Sequence, residues 1–177
     1  MIGKGKSISH GVAALEYDLA KEINGQAVAT EIARHELYGC TGAEMVQEMK
    51  PYHIDFPNVK NNCLRFEVSP SIEESATFTD ADWAELGNDF MQRMGLANHQ
   101  YIIIRHSGTE SKKEQAHLHI LANRVSLSGE LYRDNWIGKK ATEAANAIAK
   151  ERNFVQSQDI GKVNKAEIKE AMDGVLK

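Results

Sequence analysis

The chain has 177 residues, 42% of them hydrophobic and 26% charged, a balance that suits one domain with its own core and excludes a fibrous or disordered chain. No apolar run approaches the length of a membrane-spanning helix and residues 1–6 lack a signal-peptide core, so a cytoplasmic location without membrane insertion is expected. A net charge of −4 argues against a general polyanion binder, and the two cysteines, Cys40 and Cys63, give neither a disulfide framework nor zinc-ribbon spacing and are expected as buried small apolar residues.

In chain order, residues 3–9 are polar and Gly-rich and suit a short strand or loop. Ser7 or Ser9 is placed to cap a helix over 12–22, where Val12, Leu15 and Leu19 recur at helical spacing. Residues 27–38 read as helical, and 43–49 give another helical turn or two before Pro51. Pro51, Pro57 and Asn61-Asn62 mark 51–62 as loop, and 63–68 alternates as a strand does. The clearest helix covers 79–94: Thr79 and Asp82 form a capping box, Trp83, Leu86, Phe90 and Met94 a stripe, and Gly95 the stop. Two strand-like runs follow at 101–106 and 116–125, joined by a long polar loop, and then helices over 138–152 and 165–176. This order predicts an α+β fold, a central antiparallel β-sheet flanked by helices.

The second of these runs carries His117-Leu118-His119, and the first ends on His106. Side chains alternate faces along a strand, so His117 and His119 share one face while Leu118, Ile120 and Ala122 take the other. If the runs pair as a hairpin, His106 arrives beside them and three imidazoles converge on one cation with coordination positions left open. The pattern alone is equally compatible with ordinary strand histidines. His99 is an odd number of residues from His106 and faces away, at the start of its strand; His35 and His53 are isolated and read as structural.

Charge is unevenly spread. Residues 67–89 hold seven acids and no base, whereas 102–152 hold nine bases against six acids, which makes the surroundings of the histidines locally basic. A merely solvated face gives the same count.

The segments from Gly95 to His106 and from His117 to Val125 resemble the third motif of conjugative and mobilization relaxases, the MobA/VirD2-like members of the HUH endonuclease superfamily. Ala14-Leu15-Glu16-Tyr17, after a Gly/Lys/Ser-rich start, is similar to their N-terminal tyrosine motif. The order of the 63–68 strand and the 79–94 helix follows the family's middle section, and 134–154 its closing helix. The resemblance implies a relaxase nuclease domain over 1–154, with 155–177 as a C-terminal helical extension of that domain.

It also implies a reaction. Tyr17 would attack a phosphodiester of single-stranded DNA at a transfer origin, leaving a 5′-phosphotyrosyl enzyme and a free 3′-OH, then religate after transfer. His106, His117 and His119 would hold a divalent ion, Mg²⁺ or Mn²⁺ in the family; by ligand softness three imidazoles suit Zn²⁺ or Mn²⁺. Some relatives use an N-terminal histidine as nucleophile, which adds His10 as a minor candidate, and a half-buried surface tyrosine is the plain alternative for Tyr17. Tyr101 belongs to the core, and Tyr132 is placed to stack on a base. Expected contacts to DNA are Lys4, Lys6, Arg105, Lys112, Lys113, Arg124, Arg133, Lys139 and Lys140. Accessory mobilization proteins and a conjugation coupling protein are the implied protein partners. Family members commonly carry an acid two residues after the first ligand histidine, whereas here Ser107-Gly108-Thr109 follows and the first acid is Glu110. The alternatives are a replication initiator of the same superfamily, or a non-catalytic single-stranded DNA-binding module with a structural ion.

Overall fold

A computed structural model describes residues 1–108 and 115–159. The predicted helix over 165–176, Lys112 and Lys113 of the hairpin loop, and Glu110 lie outside the described residues. Five strands form one antiparallel sheet in the order β1-β5-β7-β6-β4: β1 (Ile2–Ile8), β4 (Ala29–His35), β5 (Cys63–Ser69), β6 (His99–His106) and β7 (His117–Ser126). Two short strands, β2 (Glu22–Ile23) and β3 (Gln26–Ala27), make a hairpin ahead of β4. The helices are α1 (Gly11–Leu19), α2 (Gly42–Met49), α3 (Ile72–Ser75), α4 (Asp80–Arg93) and α5 (Ile137–Glu151).

Helices cover both faces of the sheet, so its central strands read as nearly continuous apolar runs. On one face Leu118, Ile120 and Ala122 of β7 pack with Trp83, Leu86 and Phe90 of α4 and Ala141, Ala145 and Ile148 of α5. On the other, Ile102, Ile104 and Leu121 pack with Leu15 of α1 and Met45 and Met49 of α2. The Ala-rich α5 closes directly onto β1 because β1 offers glycine there: a Cβ on Gly3 would stand 2.4 Å from the Ala141 carbonyl oxygen. The capping box at Thr79 is present, with Asp82 returning to the Thr79 backbone, and Gly95 ends α4 in the left-handed conformation at φ +73°. Among the described residues, no helix is long and apolar enough to cross a membrane.

Several expectations are corrected. Residues 27–38 are not helical, since Ala29–His35 is an edge strand on β6. Ala, Glu and Arg favour a helix locally, but the open backbone edge of the buried β6 offers a ladder of hydrogen bonds that outweighs that weak preference. His10 rather than Ser7 or Ser9 precedes α1, with no side-chain cap; Ser7 lies within β1. The helix ends at Leu19, and its buried face is Gly11, Ala14, Leu15 and Asp18, leaving Val12 exposed. Cys63 is buried, but Cys40 is exposed in the loop that leads to α2.

Candidate metal centre

The site is built where β6 and β7 begin to part. The two strands pair antiparallel, with His106 opposite His117 and Ile104 opposite His119. Strand alternation then places all three histidines on the face shared with α1 and α2, while their apolar neighbours Leu118 and Ile120 anchor β7 to the α4–α5 side. One nitrogen from each ring lies within 4.8 Å of one from each of the others. His106 is only 2% exposed and His117 is buried; His119 is partly open to a cleft.

Backbone carbonyls set which nitrogens carry lone pairs inward. The Nε2–H of His106 donates to the Asp18 carbonyl oxygen at 2.7 Å, which leaves Nδ1 as its donor atom. The Nδ1–H of His117 donates to the Gln115 carbonyl oxygen at 3.0 Å, which leaves Nε2. That Nε2 is 3.1 Å from Nε2 of His119. Two nitrogens on one ion at about 2.1 Å stand roughly 3.0–3.4 Å apart for octahedral or tetrahedral angles. The His117–His119 pair therefore fits a shared ion as it stands, and a small inward movement of the rings adds His106. A main-chain carbonyl of α1 thus orients His106.

His106 and His119 are held neutral, the state a ligand requires. Burial lowers the affinity of His119 for a proton to a pKa of about 2, assisted by His106, His117, Arg65 and Lys4. Burial also lowers His106, and likewise His99 outside the cluster. An unfolded chain takes up protons on these imidazoles as pH falls through their ordinary value of 6.5, whereas the folded chain resists. The unfolded state thus binds more protons below that value, and stability is lost as pH falls from it. Thermal melting in EDTA is expected to show a falling Tm from about pH 7 to about pH 5, with a shallower fall in His119→Gln. A Tm that is flat across this interval contradicts the assignment.

Tyr17 lies near the end of α1, 56% exposed, with its hydroxyl accepting a hydrogen bond from the Lys21 ammonium. The next residue, Asp18, points inward and is 2% exposed. Its carboxylate accepts two hydrogen bonds from Arg65 of β5, from Nε at 3.0 Å and Nη2 at 2.5 Å. Arg65 Nη2 also stands 3.4 Å from Nδ1 of His119. Through Asp18 the turn that bears Tyr17 is tied to His106 by its main chain and to β5 by its side chain. Sequence reasoning missed both Asp18 and Arg65. The available signal was an acid at helical spacing from Ala14 and Leu15, on a face otherwise apolar.

A cleft of about 220 Å³ opens beside His119, lined by Lys4, Gly5, Lys6, Arg65, Phe66 and Glu67. Lys4, Glu67 and His119 are cross-strand neighbours, and Lys4 pairs with Glu67 at 2.9 Å. The other expected DNA contacts are dispersed. Arg105 pairs with Asp80 and Arg124 with Asp134 at 2.7 Å, and strand alternation turns both away from the histidine face. Arg124 also donates to the carbonyl oxygens of Asn61 and Tyr132, so it works as a loop clamp. Arg133, Lys139 and Lys140 cluster around the start of α5, with Lys140 5.0 Å from the ring centre of the half-buried Tyr132.

His10 stands at the far end of α1, roughly 12 Å along the helix axis from Asp18. His99 donates from Nδ1 to the Asn123 carbonyl oxygen at 2.8 Å and His35 to that of His99 at 2.9 Å, while His53 bonds the Asn123 side chain. Tyr101 is buried, with its hydroxyl on Asn88. None of these four histidines belongs to the cluster.

Comparison with known proteins is consistent with this arrangement. No curated protein and no solved structure matches the chain. The family model for the MobA/VirD2-like relaxase nuclease domain matches residues 17–154, from Tyr17 through α5 and the three histidines. With most of the chain matched, and a histidine cluster compatible with metal binding on its sheet, this protein belongs to the MobA/VirD2-like relaxases, the DNA-nicking proteins of mobilization.

Proposed function

We propose that the protein nicks one strand of a transfer origin by transesterification, with Tyr17 as nucleophile and His106, His117 and His119 as the ligands of one divalent ion, Mg²⁺ or Mn²⁺. The observation that carries this reading is the convergence of three imidazoles, with a nitrogen of each within 4.8 Å of the others, beside a turn whose main chain bonds one of them. When bound, the ion would polarise a non-bridging phosphate oxygen and offset the negative charge of the transition state.

The rest follows from the protein's own side chains. The Tyr17 oxygen forms a bond to phosphorus as the bond from phosphorus to the 3′ oxygen breaks. The tyrosyl proton is lost and a proton is gained by the departing 3′ oxygen, so the products are a 5′-phosphotyrosine and a free 3′-OH. Lys21 donates a hydrogen bond to the Tyr17 hydroxyl and so holds the attacking oxygen in place. Lys6, and Lys4 beside its surface partner Glu67, line the cleft that His119 opens into and supply positive charge for the flanking phosphates. Because the phosphotyrosyl bond conserves the energy of the broken one, religation requires no nucleotide cofactor.

The test incubates the protein with a single-stranded oligonucleotide carrying the cognate transfer-origin site, in Mn²⁺ and in EDTA. A covalent adduct is expected in Mn²⁺ only, resistant to denaturing gel conditions and absent in Tyr17→Phe. An adduct of unchanged yield in Tyr17→Phe would overturn the assignment of the nucleophile.

A further inference from the structure

Trp136 is the residue whose position the fold does not explain. It precedes α5 with its backbone in the left-handed region, φ 60° and ψ 27°, a conformation that strains a bulky residue and suits glycine. Its indole is 80% exposed, so core packing does not compensate for the strain. Burial accounts for the other tryptophan, Trp83, which is 2% exposed against α4's own neighbours in the core. Trp136, Lys139, Lys140 and Glu143 line an open hollow of about 300 Å³. Lys139 is mostly exposed and makes a 3.8 Å surface pair with Glu143 that a phosphate can displace. A flat exposed aromatic beside lysines provides the two features that single-stranded nucleic acid binding uses, a stacking surface and backbone neutralisation.

The hollow lies on the outer face of α5, whose inner face packs on the sheet edge beside the histidine cleft. Gly5 lines that cleft, and a Cβ on Gly138, two residues after Trp136, would stand 3.5 Å from the Gly5 carbonyl oxygen. Strand β1 is the sheet edge, so a single strand leaving the cleft reaches the hollow by passing around that edge and across α5. We propose that Trp136, with Lys139 and Lys140, is a stacking platform that holds a base of the single-stranded DNA flanking the segment in the histidine cleft. The proposal takes its ligand from the relaxase reading. It adds a contact on the far side of the sheet edge from the chemistry, which serves to grip the strand and not to cleave it.

The experiment measures binding of a labelled oligothymidylate by anisotropy, at low salt and in EDTA so that no cleavage occurs, while intrinsic tryptophan emission is followed. With only two tryptophans in the chain and Trp83 enclosed, quenching reports on Trp136. Binding is expected to quench the emission, to weaken about tenfold or more in Trp136→Ala, and to be largely retained in Trp136→Phe, which keeps an aromatic face. Trp136→Gly relieves the backbone strain, so it is expected to lose binding with a Tm no lower than that of the parent. Binding without quenching, or equal affinity in Trp136→Ala, overturns the platform. A protein that binds with quenching yet forms no tyrosyl adduct on its cognate site refutes the nicking assignment and leaves the platform standing. Normal adduct formation with unaltered binding in Trp136→Ala does the reverse.

Discussion

His119→Ala is expected to lower metal-dependent cleavage by roughly a thousandfold or more, the scale of several kcal/mol of transition-state stabilisation. His119 is the member of the cluster that faces the cleft, and its Nε2 is the one 3.1 Å from that of His117. Without it the remaining two rings belong to different strands and make a weak two-nitrogen site. Titration calorimetry with Mn²⁺ in the absence of DNA separates the metal from the substrate: binding should disappear in the variant. The fold should persist, because His119 is the most open of the three rings and its loss removes a ring from a crowded, positively charged setting. Wild-type Mn²⁺ affinity in His119→Ala, with cleavage intact, would move the ion away from this cluster.

That cluster was legible in the sequence because its geometry is short-range. The separation of His117 from His119 fixes a shared face, and one hairpin brings His106 opposite His117. The edge strand β4 was obscured for the opposite reason. Its partner β6 lies some seventy residues away, and local composition points to a helix. A hairpin signal was nevertheless present in Asn24-Gly25, which takes positive φ at both positions between β2 and β3. Arg105 and Arg124 illustrate a further limit. A basic count around the histidines says nothing of which side of the sheet each charge occupies, and strand alternation sends both to the α4–α5 side, paired with acids. Cys40 is exposed because it belongs to a loop whose backbone is held by Glu44, not to a core element.

Arg65 was hidden for a related reason, since its pairing with Asp18 becomes meaningful only when α1 is laid across β5. The main chain at Asp18 orients a candidate ligand and its side chain is pinned by a strand, while the preceding residue carries the candidate nucleophile. Helix and sheet are thereby joined at the place where the proposed nucleophile and ion would meet.

Arg65→Ala should therefore have the second large effect, on stability as well as on activity. It leaves the Asp18 carboxylate, 2% exposed, without the two hydrogen bonds and the charge that offset its burial. Removing one partner of a buried pair costs about 3–5 kcal/mol, and the partial exposure of Arg65 puts this case near the lower end. For a chain of this size the corresponding fall in Tm is roughly 6–12 °C. Adding Asp18→Asn should recover part of that loss, because the uncompensated charge is then gone. Activity should not recover with it. In the double variant the last turn of α1 has lost its tie to β5, so adduct formation by Tyr17 should stay slow while Mn²⁺ affinity, set by the three histidines, stays close to the parent's. Arg65→Lys discriminates further: a lysine supplies the charge but cannot make the two parallel hydrogen bonds, so it should rescue Tm more fully than the rate. A Tm unchanged in Arg65→Ala would refute the anchoring role, and a double variant that regains both Tm and adduct rate would reduce the pair to a purely structural one.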